Sequence, residues 1–257
     1  MPAYLRKIPA AVVWILFLSV IILASGDAGA SIKDLPFKEG ERLVYRAKWE
    51  FLSAGRVVME VLPFKTPEGE NIYHFKMDTR TNSGMDTFYR VREMQDSYTD
   101  KGLTRTLLYV KRSTGKHPRD IRVDFDWEHM QATYANFGKT EKSISILPGT
   151  LDPLALIYSI RMKELRTGAV LELPVTDGKE CAVIRATVTA RETITIDGRS
   201  YETFVIVPET NTLKGLLDKL PKLKIWCSVE EGHIPVKIQS RFAIGSFAFE
   251  LVSTNST

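Results

Sequence analysis

The residues best suited to chemistry gather in three places. The stretch HPRDIRVDFDWEH brings together His117, Asp120, Asp124, Asp126, Glu128 and His129, and carboxylates with imidazoles at close range can ligate a divalent cation. Asp124 and Asp126 are two residues apart, so on a strand they share a face. Ile121, Val123, Phe125 and Trp127 occupy the opposite face of that strand. The acids, with Arg122, therefore form its solvent side, and no metal site is expected. The second place is FYRVREMQD, where Arg90 and Arg92 fall beside Phe88 and Tyr89. Two guanidinium groups next to aromatic rings can clamp an anionic head group or carboxylate; the competing use is an ion pair with an acid on a neighbouring strand, Asp96 or Glu192. The third is apolar. Trp49, Phe75, Phe247 and Phe249 lie on candidate inner faces, and Leu213, Leu216 and Leu217 on a leucine-rich flap; together they could enclose a lipid or acyl chain. The same side chains serve equally well as a packed core.

Nothing in the chain spells out catalysis. His74, His117, His129 and His233 are scattered, and none sits in a nucleophile motif such as GxSxG. His233 falls in a hairpin turn, where an exposed side chain is expected. Neither a phosphate-cradling glycine loop nor a dinucleotide fingerprint occurs. The sequence thus assigns no catalytic residue and no cofactor, and favours a non-enzymatic protein over a hydrolase or metal-dependent enzyme. Cys181 and Cys227 are the only cysteines. They lack the CxxC spacing of thiolate metal sites, and a disulfide between them requires Cα atoms within about 7 Å.

These residues must be positioned by strands. From Leu43 onward, short apolar alternations of period two recur between glycine, proline and Asp-Gly breaks, which is the signature of half-buried strands. Ser53-Ala54-Gly55 reads as the turn between the first two. The stretch LKIWCSVEEGHIPVKIQSRFAIGSFAFELV, from Leu223 to Val252, reads as a three-stranded meander. Helix appears clearly once: Asp152 is a good N-cap, Pro153 suits the first position, and apolar residues follow at helical spacing until Gly168, about four turns on. Its expected role is to pack across an end or face of the sheet. A second, short helix is expected from Asn211 to Leu220, with Leu213, Leu216, Leu217 and Leu220 on one side. The expected fold is all-β: one large antiparallel domain, a curved barrel-like sheet or a sandwich, with one main and one short helix.

The N-terminus sets the compartment. Arg6 and Lys7 precede an apolar run, residues 10–24, and the small triplet Ala28-Gly29-Ala30, the layout of a cleavable secretory signal over residues 1–30. The expected location is the periplasm, with residues 31–257 as a single β domain. The alternative is an inner-membrane anchor formed by residues 10–24, although that run is short of the roughly 20 residues that span a bilayer. Membrane contact is expected only through this segment. The net charge is +4 with both signs interspersed, which points away from nucleic acid.

Six stretches taken together resemble a family of exported bacterial proteins, DUF3108: GERLVYRAKW from Gly40, AGRVVMEV from Ala54, FYRVREMQDSY from Phe88, LDPLALIYSIRMKELRTG from Leu151, ARETITIDGRSYETFVI from Ala190, and KIWCSVEEGHIPVKIQSRFAIGSFAFEL from Lys224. The resemblance covers nearly all of the chain after residue 30. It implies an envelope location and a β-rich fold, and no catalytic residue. The expected function is to bind or carry an amphiphile, a lipid or a lipoprotein's acyl chain. The alternative is a scaffolding protein with a filled core that contacts another envelope protein.

Overall fold

The computed structural model describes residues 35–255, apart from 67, 68, 70, 116, 117, 210–221, 231, 243 and 244. In chain order its elements are β1 (Arg42–Trp49), β2 (Leu52–Lys65), β3 (Asn71–Thr81), α1 (Ser83–Asp86), β4 (Val91–Thr99), β5 (Thr106–Gly115), β6 (Arg119–Asp126), β7 (Gln131–Asn136), β8 (Lys139–Thr140), β9 (Ile144–Ser145), α2 (Pro153–Arg161), β10 (Val170–Thr176), β11 (Cys181–Ile196), β12 (Arg199–Pro208), β13 (Lys224–Ser228), β14 (Pro235–Phe242) and β15 (Gly245–Thr254). All strands join one antiparallel sheet in the order β10-β11-β12-β13-β14-β15-β1-β2-β3-β4-β5-β6-β7-β8, with β9 paired to β7. The expected meander is β13 to β15. The sheet is two such meanders, joined where the first strand pairs with the last.

The sheet rolls without closing. Its β10 edge returns toward β5 through a single parallel bridge, Leu151 to Val175, next to a hydrogen bond from the Thr106 amide to the Thr150 carbonyl at 3.2 Å. The turn after β10 folds onto the inner face of β6 and β7. Gly178 sits there at φ +89°, and an added Cβ would lie 2.7 Å from a Val123 methyl, so only glycine fits.

The first turn departs from the sequence reading. The chain reverses at Glu50 and Phe51, with Glu50 at φ 53°. Gly55 lies inside β2, between Ala47 of β1 and Thr81 of β3. A Cβ there would approach the Arg80 carbonyl oxygen to 2.2 Å. That glycine serves close strand approach, not a turn.

Helix α2 lies inside the roll, contacting β3, β4 and β10. Asp152 caps it as expected, its Oδ1 accepting from the amides of Leu154 and Ala155 at 2.8 and 3.1 Å. The helix is shorter than expected and ends at Arg161. Leu165, which fits its apolar stripe, instead packs with Leu171, Val188 and Ile206 in a separate buried group. Leu154, Ala155 and Tyr158 fill the concave side. Phe75 stacks on Tyr158 at 4.0 Å between ring centroids and is fully buried, worth about 1.5–3 kcal/mol of apolar burial.

Candidate functional site at the open end of the roll

Because neighbouring strands of the sheet all pair antiparallel, successive turns fall alternately at two ends of the sheet. One end is closed. Arg161, the last residue of α2, is buried with Glu41; the two side chains are 1% and 2% exposed. Its guanidinium donates to both Glu41 carboxylate oxygens at 2.5 and 3.0 Å, to the Pro36 carbonyl at 2.7 Å and to the Gly232 carbonyl at 2.8 Å. Phe37 and Tyr158 lie against the cation. The hydroxyls of Tyr45 and Tyr158 and the Nδ1 of His233 are buried nearby without hydrogen-bond partners among the described residues. Burial, then the Arg161 charge, lowers the His233 pKa. His233 is therefore not the exposed turn residue the sequence suggested: at φ 40° its ring is turned in against Phe204.

The other end is open, and there the inner face carries a cleft. Strand register lays out its rows. Across β2 to β7 one row reads Val61, Phe75, Ser97, Tyr109, Val123, Tyr134; the next, nearer the open end, Met59, Met77, Gln95, Lys111, Ile121, Asn136; the third runs Val57, Thr79, Glu93, Ser113, Arg119 across β2 to β6. Along the outer two rows the inner face changes from apolar on β2 to polar on β4 and β5. Over this polar region opens a cavity of about 680 Å³, with Pro153 on its wall, the turn residues Asp177 and Lys179 at its side, and Tyr89 and Arg90 at its mouth.

The polar groups of the cleft form chains. The Tyr109 hydroxyl donates to Gln95 Oε1 at 2.8 Å, Gln95 Nε2 donates to Glu93 Oε1 at 2.7 Å, and Lys111 Nζ lies 2.9 Å from Glu93 Oε2. Burial raises the Tyr109 pKa well above that of a free phenol, with Asp152, Glu93 and Asp177 adding to it, so the hydroxyl keeps its proton and donates. On the opposite wall Lys179 pairs with Glu141 at 2.8 Å and lies 4.3 Å from the centre of the Tyr134 ring. The hydrogen bond it donates to Glu141 leads the causes that raise its pKa. With Lys111 and Lys179 matched by Glu93 and Glu141, the lining keeps two exposed cations, Arg90 and Arg119, and one acid, Asp177, with no ion pair among the described residues, an excess of one positive charge. Such a surface attracts anions.

The residues nominated from sequence separate into different places. Arg90 lines the cleft. Arg92 does not join it in a clamp: position 90 precedes β4, so strand alternation does not bring the two together. Arg92 instead holds α1, donating to Asp86 Oδ2 at 2.5 Å and to the Thr81 carbonyl at 3.1 Å. Asp96, considered as its partner, contacts His74 at 2.7 Å, and Glu192 accepts from the Trp226 indole. Trp49 and Phe247 stack on each other, 6.2 Å between centroids; they and Phe249 are half-buried, with Phe249 against the main core. Phe75 is core. Leu213, Leu216 and Leu217 lie outside the described residues, as does His117. Asp124 pairs with Arg122, Asp126 with His129 and Asp120 with Arg112.

Cys181 and Cys227 are free thiols, contrary to the disulfide considered from sequence. Cys227 pairs across β13 and β12 with Phe204, and Phe204 pairs with Arg191. Arg191 is ten residues along β11 from Cys181, roughly 30 Å at the strand rise. Burial pushes the Cys227 thiol up to about 12, so it stays protonated.

Glu93 belongs to the polar stretch FYRVREMQD singled out from sequence, whereas Gln95, Tyr109, Lys111, Arg119, Tyr134, Asn136, Glu141, Asp177 and Lys179 were not nominated. The signal available was polar residues at alternate positions of consecutive strands, and it becomes readable only once register aligns them.

No curated protein matches the chain. Among solved structures it is similar to the crystal structure of a beta-barrel-like protein of domain of unknown function DUF1849 from Brucella abortus, with 13% sequence identity, 84% of this chain and 97% of that chain covered, and a TM-score of 0.55; the likeness is one of fold. The sequence profile described as protein of unknown function (DUF3108) matches residues 44–252, and the chain belongs to that family.

Proposed function

We propose that this is a non-catalytic protein of the bacterial cell envelope, delivered to the periplasm by residues 1–30, which binds the anionic portion of an amphiphile in the open-end cleft. One observation carries this reading: a cavity of about 680 Å³ walled by tyrosines, with Arg90 and Arg119 unmatched beside the satisfied pairs Lys111–Glu93 and Lys179–Glu141. A site of this size with a few convergent polar groups is suited to one small ligand or head group. Because α2 fills the closed end, an acyl chain would lie along the half-buried Trp49, Phe247 and Phe249 and not deep within the roll.

Native mass spectrometry of protein purified from an envelope fraction tests this. The parent is expected to carry anionic lipid, and the Arg90→Glu/Arg119→Glu variant to lose it while keeping the parent's melting temperature. Ligand-free parent that is also not stabilised by added phosphatidylglycerol overturns the reading. That outcome favours the scaffold with a filled core, which the packing of α2 supports.

A further inference from the structure

The open end carries aromatic side chains where its opposite end hides them. The β1–β2, β3–β4, β5–β6 and β7–β8 turns share this end by strand alternation, spaced about 10 Å apart because each is two strands from the next. Phe51 in the first is 84% exposed, Phe88 in the second 82% and Phe137 in the fourth 62%, with Tyr89 and Leu52 half-exposed beside them. A folded chain gains nothing by holding phenyl rings in water, and clustering of the largest exposed rings on one rim marks a contact surface. Exposed cations stand among them. Arg90, Arg119, Lys139 and Arg241 make no ion pair among the described residues, whereas Asp86, Asp120 and Glu141 of the same rim are paired with Arg92, Arg112 and Lys179, and Glu50, whose carboxylate accepts from the Ser246 amide, is the one acid of these four turns without an ion pair among the described residues. The surplus charge is positive.

We propose that this rim docks on an anionic phospholipid bilayer, with Phe51, Phe88 and Phe137 inserted among the head groups and the four cations against lipid phosphates. The rings project singly from separate turns with gaps between them. A rigid protein partner would have to fill those gaps, whereas lipids deform around isolated rings. Aromatic rings favour the membrane interface, and basic residues add attraction to anionic lipid. Docking of the rim requires no occupant in the cleft, although Tyr89 and Arg90 place the cleft mouth at the same rim.

The test is co-sedimentation of the purified full chain with vesicles of phosphatidylethanolamine and phosphatidylglycerol, against vesicles of phosphatidylcholine. The Phe51→Ser/Phe88→Ser/Phe137→Ser variant is compared with Leu147→Ser, which alters an exposed residue outside the rim. Every variant keeps the N-terminal apolar run, so its contribution cancels. The parent and Leu147→Ser are expected to sediment with anionic vesicles and to be released by salt, and the triple variant to partition about tenfold or more less. A triple variant that sediments like the parent overturns the proposal. So does a parent indifferent to vesicles, or a triple variant whose only change is from dimer to monomer, which would assign the rim to a second copy of the chain. None of the three rings lines the cleft, so the triple variant should keep its bound lipid in native mass spectrometry, which separates failure of docking from failure of ligand binding.

Discussion

The two ends of the roll are built on one plan of antiparallel turns and finish it in opposite ways. At the closed end the turn residues fold inward: Leu103 is buried, the Trp127 indole donates to the Thr106 carbonyl at 2.7 Å, and Arg161 gathers Glu41, Pro36 and Gly232 onto α2. At the open end Phe51, Phe88 and Phe137 point outward and the polar groups line a cavity. One end invests its side chains in stability, the other leaves them available for contact.

That contrast can be broken most directly at Arg161. Arg161→Met leaves the Glu41 carboxylate buried without its cation, and a loss of about 3–5 kcal/mol in urea unfolding is expected. Adding Glu41→Leu should recover much of it, since the uncompensated charge is then gone. A loss as large from the open-end triple phenylalanine variant would abolish the distinction between the ends; exposed positions ordinarily stay within about 0.5 kcal/mol.

Asp152 ranks next. Its buried carboxylate accepts from Ser97 at 2.5 Å, from Thr106 at 2.8 Å and from two helix amides. Burial raises its pKa, and the bonds from Ser97, Ala155, Thr106 and Leu154 oppose the rise. Asp152→Ala strands those donors, and thermal unfolding is expected to show a loss of about 2–3 kcal/mol, with Asp152→Asn milder.

The smallest effect is the pH dependence of the closed end. His233 has a folded pKa below its usual 6.5, so the unfolded chain takes up the proton first. Its contribution is complete above 6.5 and drains as pH falls through that value toward the folded one. The parent's melting temperature should therefore fall more steeply than that of His233→Gln from about pH 7.5 to about pH 5.5. Equal slopes would mean the ring is hydrated in solution.

What was legible in the sequence was local. Asp152 and Pro153 announce the start of α2 because capping chemistry lies within a few residues. The end of α2 does not announce itself, because Arg161 is committed to a glutamate 120 residues away. The meander from Lys224 reads cleanly where an apolar face alternates with a polar one. β4, VREMQDSYT, is polar on both faces, so alternation gives no phase, and Glu93 and Gln95 could not be placed inside. Arg90 and Arg92 were paired by extending that alternation one residue past the strand. The cysteine pair failed for a related reason: spacing along the chain says nothing of the register between β11 and β13.

The seam between β1 and β15 has a consequence for how the chain assembles. Seven residues of β1, Leu43 to Trp49, pair with the final strand, so the first strand made waits for the last. A chain emerging N-terminus first can zip β1 to β8 from neighbouring contacts, but one side of β1 stays an unpaired edge until β15 arrives. Such an edge invites wrong pairings during that interval. The joining of the two halves is a contact of high sequence separation, expected to be the slow step of folding and the one where an escorting chaperone would act.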